Sequence, residues 1–144
     1  MPVSLVDDQE LLAVNQLKVK RRLGKALKNL GRPQAHISIL FTTDEGIKTL
    51  NRDFRGIDKS TNVLAFPDTD EAIGQAQHLG DLALSTETIV REAAESQCDP
   101  EWMMYFYLTH GLLHLVGHDH ELGPRQDKAQ QAETERLMEL IYRK

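Results

Sequence analysis

Apolar positions recur along this 144-residue chain with two different periods, and the changes between them outline its elements. From residue 12 to about 30, Leu12, Val19, Leu23, Ala26, Leu27 and Leu30 share one face at about 100° per residue, which predicts an amphipathic helix. Gly31 and then Pro33 predict its end, since Gly suits a C-cap and Pro cannot continue a helix. His36 to Thr42 (HISILFT) is a β-branched and aromatic run, hence a strand. Asp44 is placed to N-cap a helix reaching about Arg52, with Ile47 and Leu50 facing inward. Asn62 to Phe66 (NVLAF) predicts a second core strand closed by Pro67, and the polar segment DTDEAIGQAQH predicts an exposed loop. Leu79 to Leu84 is the next strand, and Ser85 caps a helix through about Ser96, with Glu87 in its first turn. Asp99 and Pro100 open an apolar helix running from Trp102 to Val116, which Gly117 ends. A last amphipathic helix covers about Arg125 to Tyr142 on Ala129, Ala132, Leu137, Leu140 and Ile141. With an N-terminal strand near Val3 to Val6, the expectation is one α+β domain over residues 1–144, a small mixed sheet packed with about five helices.

Composition narrows the class. Hydrophobic residues at 40% and charged residues at 27% are the balance of a soluble globular domain with a core large enough to fold alone. No stretch approaches the roughly 18 apolar residues of a membrane span. The N-terminal segment carries Asp7, Asp8 and Glu10 where an export signal needs a basic start and an apolar run. The single cysteine, Cys98, excludes an intrachain disulfide and is expected to be a buried or idle thiol. Together these point to the cytoplasm.

Charge changes the picture again. The formal net charge of -5 speaks against a nucleic-acid partner, but its distribution does not. From Leu11 to Thr43 there is no acidic residue, while Lys18, Lys20, Arg21, Arg22, Lys25, Lys28 and Arg32 supply seven positive charges. Removing those seven from the net charge of -5 leaves -12 for the remainder, so the molecule is strongly polarised. On the helical wheel Lys18, Arg21, Arg22, Lys25, Lys28 and Arg32 lie opposite the apolar face. They form either a solvated basic face or a phosphate-facing surface.

The candidate chemistry is a histidine cluster. Four of the six histidines lie in His110-Gly-Leu-Leu-His114-Leu-Val-Gly-His118-Asp-His120. His110 and His114, four residues apart on a helix, project from one face and can share a cation. Gly117 can take a left-handed conformation that turns the chain back, so that a third histidine approaches the same ion from outside the helix. Counted from His110, the offsets 0, 4 and 10 with Gly at 7 match the spacing of the metzincin zinc motif and select His120 as the third ligand. His118 is spaced to continue a straight helix, where it could not converge with His110. Three imidazoles leave a position for water, the arrangement of a catalytic rather than a structural zinc, one Zn2+ per chain. His36 and His78 stand alone and are expected to be polar residues satisfied in the core. The metzincin motif has its general base, a glutamate, directly after the first histidine; here that position is Gly111, which counts against a peptidase.

Three segments carry a family resemblance: NRDFRGIDKSTNVLAF from Asn51 to Phe66, LGDLALS from Leu79 to Ser85, and HGLLHLVGHDH from His110 to His120. In them, and over nearly its whole length, the chain resembles the YbeY family of bacterial endoribonucleases, described as rRNA maturation factors. The resemblance implies a metal-dependent endoribonuclease specific for single strands, acting on rRNA precursor and the small ribosomal subunit in maturation and quality control. It implies metal ligands at His110, His114 and His120 and a catalytically important arginine at Arg55. A guanidinium beside a zinc ion can stabilise the charge that builds on a phosphodiester under attack. Asp119 and His118 are both candidates to take the first proton, and Asp119 is equally a partner for a ligand imidazole. Two other readings remain: a metal-dependent hydrolase of a peptide or small molecule, and a ribosome assembly protein in which His118 closes a structural zinc site.

Overall fold

In a computed structural model, residues 3–68, 78–117 and 124–142 are described, with side chains in the last stretch from Lys128 onward. The elements run β1 (Val3–Asp7), α1 (Gln16–Asn29), β2 (His36–Thr42), α2 (Asp44–Arg55), β3 (Val63–Pro67), β4 (His78–Ser85), α3 (Thr86–Glu95), α4 (Pro100–Leu115) and α5 (Pro124–Tyr142). The sheet order is β1-β2-β4-β3. β1, β2 and β4 are mutually parallel, and β3 alone is antiparallel, pairing Leu64 with Ala83 and Ala65 with Leu82. The expected mixed sheet with five helices is what forms.

Both faces of this sheet are covered, unequally. Ile37, Ile39, Phe41, Leu82 and Leu84 join Val19, Leu23 and Leu27 of α1, Leu108 and Leu112 of α4, and Leu137 of α5 in the main core. The alternate residues Leu40, Leu64, Phe66 and Ala83 meet Ile47 and Leu50 of α2 on the opposite face. Period-two alternation thus assigns each strand residue to one helical layer or the other. α2, which carries Arg55, and α4, which carries His110 and His114, lie on opposite faces of the sheet.

Several boundaries differ from expectation, each for a local reason. α1 starts at Gln16 rather than near Leu12, because Gln9 ties up both the N–H and the carbonyl of Leu12 through its side chain, each at 2.8 Å. Asn15 then caps the helix by accepting from the Lys18 N–H at 3.1 Å. Asp44 is not the cap of α2. Thr43 takes that place, accepting from the Gly46 N–H, and frees the Asp44 carboxylate to reach α3. α2 also continues past Arg52 to Arg55, closing at Gly56. Asp99 caps α4 with Pro100 following, and Gly117 has the left-handed conformation expected of it, φ 103°.

The two isolated histidines divide. His36 is exposed rather than buried in the core, because it opens β2 at the sheet's end. His78 is half-buried and held between the Asp68 carboxylate at 3.2 Å and Ser38 Oγ at 3.3 Å. The expected loop between Asp68 and His78 lies, from residue 69 to 77, outside the described residues. Cys98 is half-buried.

Candidate metal centre and its surroundings

α4 is apolar almost all round, and Met103, Met104, Tyr105, Leu108, Leu112, Leu113 and Leu115 are buried. Trp102, Phe106, His110 and His114, four residues apart in succession, form a half-buried stripe along it. Trp102 stacks on Phe106 with centroids 5.3 Å apart, and Phe106 stacks on His110 at 6.5 Å. The His110 and His114 rings meet edge to face at 5.0 Å. Two imidazoles one turn apart on a shared stripe are the donor set that a zinc ion takes from a helix. His118, Asp119 and His120 lie outside the described residues, so the described part of the site contributes two of the three expected ligands. Among the described residues no group of three potential ligands forms.

Gly111 explains why the metzincin glutamate has no counterpart here. A Cβ at this position would lie 2.7 Å from Leu82 Cδ2 and 3.4 Å from Val63 Cγ2. The residue after His110 therefore faces the apolar side chains of β3 and β4 at close range, a poor place for a charged group.

Arg55 is exposed in the last turn of α2. Beside it Phe54 is 71% exposed and leans on Phe66 of β3, ring centroids 5.7 Å apart. The chain leaving α2 is fixed by buried Asn51, whose Nδ2 donates to the Lys59 carbonyl at 3.0 Å. Asn62 then links this segment to α3 and α4. Its Nδ2 donates to Glu92 Oε1 at 3.2 Å, and Tyr107 Oη donates to the same oxygen at 2.8 Å. Burial and the hydrogen bond to Glu92 push the Tyr107 phenol up to about 12, so it stays protonated and donating at neutral pH. Through Asn62, Glu92 and Tyr107 the Arg55 segment is coupled to the histidine helix across the edge strand.

The basic helix is less open than its wheel implies. Lys18 pairs with Glu101 of α4 at 3.5 Å, so an acid absent from the local sequence is supplied by packing. Lys25 Nζ donates to the Leu140 carbonyl of α5 at 3.2 Å but remains exposed. Arg22 departs most from expectation: its guanidinium sits 4.8 Å from the Tyr105 ring centroid and 5.0 Å from that of Tyr142. It serves as a cation–π bridge from α1 to α4 and α5 rather than as part of the solvent-facing set. Arg21, Lys28 and Arg32 are exposed as expected.

Sequence reasoning missed the Asn62–Glu92–Tyr107 link, and it missed Gln130. This α5 glutamine is 1% exposed and places Nε2 3.3 Å from His110 Nδ1. Its only signal in the sequence is a polar residue on the inward side of an amphipathic helix.

The family described as "Endoribonuclease YbeY" matches residues 3–141. A protein of that name from Chelativorans sp. is 44% identical over 117 residues, covering 80% of this chain and 72% of its own length. Another, from Chloroflexus aurantiacus, is 34% identical over 141 residues, covering 93% of this chain and 91% of its own. Among solved structures, the solution structure of a Thermotoga maritima protein superposes with a TM-score of 0.69 over 97% of this chain and 89% of that one. At 22% identity this last likeness concerns the fold.

Proposed function

The chain belongs to the YbeY family of endoribonucleases, and from that premise we propose that it cuts single-stranded RNA at one zinc ion held by His110, His114 and His120. Its place is in the maturation and quality control of small-subunit rRNA in the cytoplasm, with the rRNA precursor and the small subunit as partners and residues 1–144 as one catalytic domain. The observation that carries this reading is the pair of imidazoles meeting at 5.0 Å on the half-buried stripe of α4. No helix among the described residues is long and apolar enough to cross a membrane.

A zinc ion at these histidines would polarise the scissile phosphate and lower the pKa of a bound water. The protein's own residues supply the rest. Arg55 presents a guanidinium to the nonbridging oxygens as their charge grows. Asn51 and Asn62 hold the chain on either side of the loop that follows it. Arg21, Lys25, Lys28 and Arg32 offer positive charge to the RNA backbone, with Lys18 and Arg22 contributing mainly to the field.

The decisive experiment incubates purified protein with single-stranded and duplex RNA of the same sequence, with and without chelator. The expected result is cutting of the single strand alone, abolished by chelator and restored by zinc. Chelator-insensitive cutting would overturn the metal role. Tight RNA binding by zinc-loaded protein without any cutting would indicate an assembly factor with structural zinc.

A further inference from the structure

α5 receives no chemical role from the sequence, yet it brings one polar side chain to the histidine stripe. The helix is seated by buried Leu137, Met138 and Ile141, and Thr109 of α4 donates to Met138 Sδ at 3.6 Å. Gln130 is therefore delivered by a packed element, and at 1% exposure it has almost no contact with solvent. One end of its amide meets His110 Nδ1 at 3.3 Å, and the other, Oε1, is buried without a partner among the described residues. A half-satisfied buried amide is costly, and methionine would fill a similar volume without that cost. Something about His110 must justify the amide.

Metal ligation does so. An imidazole binds a cation through the lone pair of one nitrogen and must carry its proton on the other. Nδ1 of His110 faces Gln130, so Nε2 is the ligating atom and Nδ1–H must donate. As placed, Gln130 Nε2 lies toward Nδ1, which suits an imidazole protonated at Nε2 and therefore closed to metal. Half a turn of the amide exchanges its nitrogen and oxygen in nearly the same positions, presenting Oε1 to Nδ1–H instead. Glutamate could only accept and lysine only donate, whereas glutamine serves both forms of the ring.

We propose that Gln130 is a positioning residue for the zinc site: its Oε1 accepts from His110 Nδ1–H in the metal-bound protein, fixing the tautomer whose Nε2 binds zinc. This rests on His110 being a zinc ligand. The inward-facing amide of α5 thus makes the C-terminal helix part of the metal centre.

The test measures zinc affinity by competition with a chromophoric chelator, and thermal melting of the metal-free protein, for wild type, Gln130→Met, Gln130→Glu and His110→Ala. Gln130→Met is expected to weaken zinc binding about 10- to 100-fold without lowering the metal-free melting temperature, because the unpaired amide is removed. Gln130→Glu, an obligate acceptor, is expected to bind zinc at least as tightly as wild type. Zinc affinity within about threefold of wild type in Gln130→Met, well short of an outer-ligand effect, would overturn the proposal. Should Gln130→Met fail to fold, Gln130→Glu decides alone: retained or tighter binding supports the role, and weakened binding rejects it. Failure of the underlying metal reading looks different, since wild type would then bind no zinc or His110→Ala would bind as tightly as wild type.

Discussion

Replacing Asp44 with alanine should loosen the junction that holds α2, and with it Arg55, against α3. The Asp44 carboxylate accepts from Ser85 Oγ and Thr88 Oγ1, each at 2.5 Å, and from both terminal nitrogens of Arg91 at 3.3 Å. In return Glu87 of α3 accepts from the Asp44 N–H at 2.7 Å, so the first turns of the two helices are tied together in both directions. Ser85 is fully buried and Thr88 nearly so, and in Asp44→Ala their hydroxyls lose this acceptor. Hydrogen bonds to a charged group contribute about 1.5–3 kcal/mol each. The Asp44 side chain is 30% exposed and the Arg91 pair is more so, which lowers the expected total to about 2–3 kcal/mol. At roughly 3 °C per kcal/mol for a chain of this length, the melting temperature should fall by about 6–9 °C. Acid provides an independent measure. Burial works to raise the Asp44 pKa, but the hydroxyls of Ser85 and Thr88 and the Arg91 charge outweigh it and hold the carboxyl below its usual 3.8. A depressed folded pKa means the stabilisation is complete above 3.8 and is lost as pH falls through the lower folded value. Urea unfolding of wild type, Asp44→Ala and Asp44→Asn from pH 7 down to pH 2 reads both effects. The reasoning fails if Asp44→Ala stays within about 0.5 kcal/mol of wild type at pH 7, the range of an ordinary surface substitution. It fails equally if wild type and Asp44→Asn lose stability identically below pH 4.

Three further predictions concern the site itself. His120→Ala should sharply weaken zinc binding, whereas His118→Tyr should leave the site filled; zinc stoichiometry in the reverse order would reject the proposed ligand set. Arg55→Ala should retain zinc and the wild-type melting temperature while losing on the order of 10²-fold or more in cleavage rate, and full activity in a single-turnover assay would remove Arg55 from the chemistry. On α1, neutralising Arg21 and Lys28 should flatten the dependence of log RNA affinity on log salt by about 1.4, roughly 0.7 per phosphate contact, at nearly unchanged stability. Arg22→Leu should instead destabilise the protein by about 1–2 kcal/mol through its lost ring contacts, and an unaltered melting temperature there would return Arg22 to the solvent-facing set.

Local chemistry made much of this protein legible in its sequence. The Asp99–Pro100 start of α4, the end at Gly117 and the two-residue period of β2 and β4 depend on residues within one or two turns of each other. The same holds for His110 and His114, whose i, i+4 spacing places them together on any helix. Gly111 also reads directly as the missing base, but its reason does not. Only the crossing of α4 over Leu82 and Val63 shows that a side chain there would press on the Leu82 methyl. Tertiary structure likewise decided that β3 runs antiparallel at the sheet edge and that α2, among the described residues, covers one face. It brought Glu101 to Lys18 and the Leu140 carbonyl to Lys25, and set Arg22 between two tyrosines, so half of a uniform-looking basic face acquired partners 83 or more residues away. Gln130, twenty residues beyond His110 and on another helix, has no spacing rule that could connect it to a ligand. Periodicity specifies which way a side chain faces on its own element, whereas what it meets there depends on how the elements pack, and that is a property of the whole chain.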